Sequence, residues 1–127
     1  MANIKNEFNA YLKAHVGLSG LVGANVFPHV GKTDQAMPAI MYGFDSDNEN
    51  DLEGNVVLER YQVQANIVDK SYANANDIAD QLKQALNIIN SNLNNTVVQL
   101  CKFDSESESF DEELDAHVLS LNFTLIK

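Results

Sequence analysis

Cysteine and positive charge are both scarce in this chain of 127 residues. The single cysteine, Cys101, excludes an internal disulfide framework and any multi-cysteine zinc site. Only 8 basic side chains stand against 18 acidic ones, which gives a formal net charge of -10. This balance argues against a general binder of the phosphate backbone, because such proteins cluster lysine and arginine on one face.

Long apolar runs and nucleotide-binding motifs are missing as well. No stretch reaches the roughly 18 residues of a membrane span, and residues 1–17 lack the apolar segment of a secretory signal. Gly17, Gly20 and Gly23 follow a predicted helix rather than a strand, so they do not form a phosphate-cradling loop. We therefore expect one soluble, intracellular domain over residues 1–127, without a cofactor and without membrane contact.

The first helical pattern runs from about Asn3 to Val16. Its apolar residues recur at spacings of three and four, which makes one apolar stripe. Gly17 follows the last periodic residue and is predicted to be the C-terminal cap. Residues 18–23 fit either a short turn of helix or a tight loop.

The second helical pattern is the clearest element of the chain. Ser71 is the predicted N-cap, and apolar residues then recur at helical spacing to about Asn90. Aspartates precede Lys83 along this segment, which complements the helix dipole. The polar stretch 90–95 is predicted to break the helix.

The remaining apolar segments predict five strands. They cover residues 25–30, 39–44, 56–68, 97–103 and 116–126. Pro28 makes the first strand a candidate sheet edge, and we expect the last strand to be the other edge. The order helix, three strands, helix, two strands predicts an α+β fold, with two helices on one face of a mainly antiparallel sheet.

Negative charge is concentrated in two predicted hairpin loops, one after the second strand and one before the last. Together they hold 12 of the 18 acidic residues and no basic residue. The carboxylates are Asp45, Asp47, Glu49, Asp51 and Glu53 in the first loop, and Asp104, Glu106, Glu108, Asp111, Glu112, Glu113 and Asp115 in the second. Two interpretations stay open: ordinary solvated loops, or a surface that contacts a partner or lines a channel.

No metal or catalytic motif emerges from these residues. A calcium loop that begins at Asp45 needs glycine at its sixth position and glutamate at its twelfth, where Asn50 and Val56 stand. The three histidines are too far apart for a local zinc motif. Cys101 is expected to be a small buried hydrophobe rather than a nucleophile. We therefore expect no metal site, no catalytic residue and no enzyme.

The ordered set of segments resembles the tail-completion proteins of long-tailed bacteriophages, which include tail terminators and tail-to-head joining proteins. The resemblance covers about residues 4–90, and the last two strands match only as a pattern. It is carried by the opening helix and by the segments HVGLSGLVG, NVFP, MPAIMYGF, DLEG followed by ERYQVQANIVD, and YANANDIADQLKQAL.

This resemblance implies a structural role without catalytic residues. It implies a ring, hexameric in such proteins, at the head-proximal end of the tail tube, where the ring stops tube polymerisation and joins the tail to the head. The implied partners are further copies of the chain, the tail tube protein and a head-completion or connector protein, with DNA only as passing cargo. Some such subunits are monomers until they meet the tube, so the implied locations are the bacterial host cytoplasm and then the virion neck.

Two alternatives remain at this point. One is a different neck component, such as a head–tail connector of similar size. The other is an acidic protein that binds and inhibits a basic, DNA-binding partner by imitating the charge of nucleic acid, because dense like charge is relieved when a basic partner binds.

Overall fold

A computed structural model describes residues 4–22, 25–28, 38–50, 56–93, 96–113 and 115–126. The helices in these residues are α1 (Ile4–Ala14), α2 (Val16–Val22) and α3 (Tyr72–Ala85). The strands are β1 (Val26–Pro28), β2 (Ala39–Asn50), β3 (Val56–Asp69), β4 (Ile88–Leu93), β5 (Thr96–Asp111) and β6 (Ala116–Ile126). Within the same residues, no helix is long and apolar enough to cross a membrane.

The described strands form one sheet in the order β1-β2-β3-β6-β5-β4. β1 runs parallel to β2, and every other neighbouring pair is antiparallel. Helix α3 carries the chain across the sheet from β3 to β4. The predicted α+β class and the mainly antiparallel sheet are therefore confirmed.

The edges of the sheet match the prediction on one side only. β1, which ends at Pro28, is an edge strand as expected, because proline cannot donate to a sheet ladder. β6 was predicted to be the other edge, but this is wrong, since it lies in the centre between β3 and β5. Its inward residues Leu119, Leu121, Phe123 and Leu125 are fully buried, and only a central position under the helices removes so much apolar surface from water.

The three helices pack on one face of the sheet. Their buried side chains form a single cluster with those of the strands; the helices contribute Phe8, Leu12, Leu18, Val22, Ala75, Ile78, Ala79, Leu82 and Ala85. On β3, Val63, Ala65 and Ile67 are buried in this cluster, whereas the alternating Gln62 and Gln64 are exposed on the opposite face. The sheet therefore has an apolar face under the helices and an outer face that is polar at Gln62 and Gln64. A second, small apolar cluster of Met41, Val68 and Ala116 with Val118 lies on that outer face.

The segment after α1 is a second helix rather than a loop. The imidazole Nδ1 of His15 accepts the backbone N–H of Leu18 at 3.3 Å, which satisfies a donor in the first turn of α2. Gly17 lies inside α2, so its predicted role as a C-terminal cap is wrong. It lies against α3 instead: a Cβ at Gly17 would be 2.2 Å from Oε1 of Gln81.

Helix α3 begins as predicted but ends earlier. The Oγ of Ser71 accepts the backbone N–H of Asn74 at 3.2 Å, which confirms the N-cap. The helix ends at Ala85 rather than near Asn90, and the predicted breaker contributes to strand β4. The two isoleucines at the start of β4 favour a strand, and Ile88 pairs with Cys101 of β5. Helical spacing of the apolar residues concealed this change of structure.

Candidate functional site

The first acidic segment is largely strand. β2 continues to Asn50 and pairs with β3 as far as Val56, with an irregularity between Glu49 and Asn50. The prediction of a loop from Asp45 is therefore wrong for Asp45, Asp47 and Glu49, which lie in β2. The ladder with β3 gives these backbone groups their hydrogen-bond partners in spite of the polar side chains. Asp51 and Glu53 lie outside the described residues.

The second acidic segment is also a strand. β5 runs to Asp111 and pairs with β6 as far as Ala116, so Asp104, Glu106, Glu108 and Asp111 are strand residues rather than loop residues. The alternation of serine and glutamate from Ser105 to Ser109 has the period of a strand, and this signal was available in the sequence. The dense charge, which is more typical of a loop, concealed it.

A short turn closes this second hairpin. The backbone N–H of Glu113 donates to Oδ1 of Asp111 at 2.9 Å, which is a local turn bond typical of aspartate. Asp115 has a φ of 52°, in the left-handed region that aspartate tolerates better than most residues. Glu112, Glu113 and Asp115 are exposed on this turn.

A bulge in β5 divides its side chains between the two faces of the sheet. The register with β6 shifts between Phe103 and Ser105. On the outer face, the hydroxyl of Thr124 donates to Oδ2 of Asp104, and Nδ2 of Asn122 donates to Oγ of Ser105 at 3.0 Å. Glu106 and Glu108 pair with the buried Leu121 and Leu119, so they stand on the helix side.

Side chains of helix α3 contact the side chains of β5 that lie on the helix side of the sheet. Nζ of Lys83 lies 2.6 Å from Oε1 of Glu106 and 4.8 Å from the ring centroid of Phe103. Such a partly exposed ion pair contributes about 1 kcal/mol, and the cation–π contact is part of the same local stabilisation. Nearer the turn, the hydroxyl of Tyr72 donates to the carboxylate of Glu108 at 2.8 Å. This hydrogen bond raises the pKa of Tyr72 above its ordinary value.

Aromatic rings complete the contact between α3 and the second hairpin. The ring of His117 lies 5.2 Å from that of Tyr72 and 5.1 Å from that of Phe110, centroid to centroid. His117 is half-buried between them and belongs to this packing. His29 lies outside the described residues.

The two acidic hairpins lie at opposite ends of the sheet. The β2–β3 hairpin closes beyond the start of β3, and the β5–β6 hairpin closes beside the end of β3, where Asp69 pairs with His117. β3 has 14 residues, so its two ends, one beside each hairpin, are about 45 Å apart along the strand direction. The structure therefore does not bring the two predicted sets of carboxylates together. Asp45 and Asp104 belong to neither end. Asp45 pairs with Gln62, and Asp104 accepts from Thr124, which also pairs with Gln62, so both lie midway along the length of the strands.

Cys101 is the remaining candidate for chemistry. Its side chain is fully buried, which confirms the prediction of a small hydrophobe in the core. Burial, together with the negative charge of Asp104, raises the pKa of the thiol to about 12. The thiol is therefore protonated at neutral pH, and this form is a poor nucleophile. Among the described residues, no three histidine, cysteine or carboxylate side chains lie together in a group that could hold a metal ion.

Comparison with known proteins relates this chain to a family and to a solved structure. Residues 9–126 match the family model of the tail completion protein gp17. No curated protein sequence matches the chain significantly. A chain in a solved structure described as the virion of a native gene transfer agent particle has the same fold, with a TM-score of 0.75 at 20% identity, over 94% of this chain and 90% of that chain. Because the family model spans nearly the whole sequence, the chain belongs to the tail completion protein gp17 family.

Proposed function

We propose that this protein closes the head-proximal end of a phage tail tube, as a hexameric ring that stops tube polymerisation and joins the tail to the head. Membership of a tail completion family supports a structural role in the tail. The ring, the capping of the tube and the contact with the head are the finer parts of the proposal. The partners are further copies of this chain, the tail tube protein and a head-completion protein.

The single observation that carries the proposal is the position of the two acidic hairpins. A protein that joins tube to head needs two contact surfaces that face in opposite directions. The β2–β3 and β5–β6 hairpins meet this need, because one lies at each end of the sheet and both are rich in carboxylates. Opposite ends are what a joining subunit requires, whereas a single binding face would favour both hairpins on the same side.

The sheet supports a ring. Its two outermost described strands, β1 and β4, are different in sequence and length, so a contact between the two sides of neighbouring copies is heterologous. Heterologous contacts close into rings when the rotation between copies permits it. Unpaired strand edges supply backbone donors and acceptors for such a contact.

The acidic charge supports a role for DNA as passing cargo. With a formal net charge of -10 for each subunit, a ring presents a strongly negative potential to a nucleic acid. DNA that passes through it is repelled rather than bound, which is the converse of binding by counterion release.

The experiment is a deletion of the gene in the phage or prophage that encodes the protein, complemented by wild type and variants. We expect the deletion to give headless tails of irregular length, measured by negative-stain electron microscopy, and the wild-type gene to restore particles. Immunogold label is expected at the neck of restored particles. Normal tails attached to heads in the deletion strain would refute the proposal.

Charge reversal in one hairpin at a time separates the two contacts. Glu112→Lys with Glu113→Lys alters only the exposed turn of the β5–β6 hairpin, so we expect the variant to fold and yet to assemble poorly. Gln84→Lys on the exposed side of α3 is a control that adds positive charge away from both hairpins. If the variant of the turn folds and completes tails as well as wild type, the β5–β6 hairpin is not one of the two contact surfaces.

A further inference from the structure

We propose that the side of β5 that faces away from β6, between Lys102 and Phe110, binds a basic, extended segment of a different protein, which joins the sheet as an additional strand. We call this side the open edge. The inference rests on the proposed function only for the identity of that protein, which would be a tail or head component. Binding at the open edge is a property of this chain that can be measured alone.

The open edge begins where β4 stops. β4 pairs with β5 from Thr96 as far as Cys101, and among the described residues no strand pairs with the following part of β5 on that side. Backbone N–H and C=O groups on such an edge are available to an incoming strand, and adding a strand is a recurrent way of binding an extended peptide.

The charge of the open edge selects a basic occupant. Asp104, Glu106 and Glu108 lie along it, against one basic residue, Lys102. The adjoining turn adds Glu112 and Glu113. A second copy of this chain, with its own net charge of -10, would bring like charge to the contact, whereas a segment rich in lysine or arginine would be attracted.

The protein already shows how a lysine binds to this strand. The ammonium of Lys83 lies against both the carboxylate of Glu106 and the ring of Phe103. Glu108 and Phe110 offer the same pair of groups further along the same side of β5, where Glu108 pairs with Leu119 and Phe110 with His117.

At this second pair no lysine or arginine of the described residues is bound. Glu108 accepts a hydrogen bond from the neutral hydroxyl of Tyr72 instead, and a carboxylate has lone pairs for further donors. Phe110 is 50% exposed, which leaves ring surface for the aliphatic stem of a basic side chain. The incoming strand would therefore place lysine or arginine at alternate positions, on the side that faces Glu108.

The probe is a capped, fluorescent peptide of alternating lysine and valine, added to the full-length protein and followed by anisotropy. One control peptide has proline in place of every valine, so that it keeps the charge but cannot pair as a strand. We expect the lysine–valine peptide to bind, to slow amide exchange between Lys102 and Phe110, and to bind at least tenfold more tightly than the proline peptide.

Two variants of the protein test the named side chains. Glu108→Gln keeps a hydrogen-bond acceptor for Tyr72 and is expected to weaken peptide binding about threefold, as for a partly exposed ion pair. Phe110→Ala is expected to weaken it to a similar degree. Glu112→Gln is the matched control, because it removes the same charge from the turn, and we expect it to change the affinity less than Glu108→Gln does.

Four results would overturn the inference: no binding, equal binding of the proline peptide, equal effects of Glu108→Gln and Glu112→Gln, or self-association that slows the same amides without peptide. The last would identify a second copy as the occupant. These results are independent of the deletion experiment. If the peptide does not bind but the deletion impairs tail completion, only the open-edge proposal is refuted. If the peptide binds but the deletion has no tail phenotype, only the proposed function is refuted.

Discussion

The two acidic hairpins have similar composition but different support. Beyond Arg60, where its pairing with β6 ends, β3 is paired only with β2 among the described residues, so the first hairpin extends as a two-stranded ribbon. The second hairpin lies beside α3, where Lys83 and Tyr72 bind Glu106 and Glu108. Isolated two-stranded ribbons are marginally stable in water, whereas packing against a helix stabilises them.

The net charge of a segment therefore does not predict its local stability. We expect amide exchange to be fast in β2 beyond Asp45 and slower in β5 between Phe103 and Phe110, although both segments are rich in acidic residues. The first hairpin would then adapt its shape to a partner, and the second would present a preformed surface.

The largest expected effect comes from removing the support of α3. Leu82 is fully buried on the sheet side of this helix, so Leu82→Ala should lower the free energy of unfolding by about 2–5 kcal/mol. Chemical denaturation followed by circular dichroism measures this loss. Gln84→Ala, at an exposed position of the same helix, should change stability little. Equal stabilities of the two variants would contradict the packing described for α3.

A smaller effect is expected from Lys83→Ala. It removes the ion pair with Glu106 and the contact with Phe103, which together stabilise the second hairpin by about 1 kcal/mol. Hydrogen exchange should become faster between Phe103 and Phe110 and stay unchanged in β2. Lys70→Ala is the control, because it removes the same charge from an exposed position next to α3. If both variants had the same effect, the contacts of Lys83 would not explain the stability of the second hairpin.

The smallest effect concerns pH. The hydrogen bond to Glu108 raises the pKa of Tyr72, and the hydroxyl donates only while it is protonated. The contact is therefore complete below the ordinary tyrosine pKa and is lost as the pH rises through the raised value. Glu108→Gln should lower the pKa of Tyr72, measured by NMR titration of the tyrosine rings and assigned with Tyr72→Phe. An unchanged pKa in Glu108→Gln would mean that the two side chains do not interact in solution.

The prediction of the fold from the sequence succeeded where burial is periodic. The stripes of α1 and α3, the N-cap at Ser71 and the alternation in β3 were all recognised, because one face of each element is apolar. It failed where burial is not periodic. The acidic part of β5 is a strand with little apolar surface, and Ile89 continues the helical spacing of α3 although it belongs to β4.

The residues of the candidate site were predicted from the sequence, but their positions in the sheet were not. The sequence identified the carboxylates, but strand pairing was needed to place the two hairpins at opposite ends of the sheet and Asp45 and Asp104 midway along the strands. Strand order produces these positions, and strand order depends on pairings between residues far apart in the chain.

The sequence by itself determined the α+β class, the apolar face of each main element, the strong negative charge and its concentration in two segments. These properties depend on local spacing and composition. The pairing of distant segments was needed to establish that β6 is central and that, among the described residues, α3 binds one acidic hairpin and not the other and part of β5 has an open edge. The physical reason is that sheet pairing satisfies backbone groups without regard to side-chain charge, so a charged segment becomes a strand when a long partner such as β6 lies beside it.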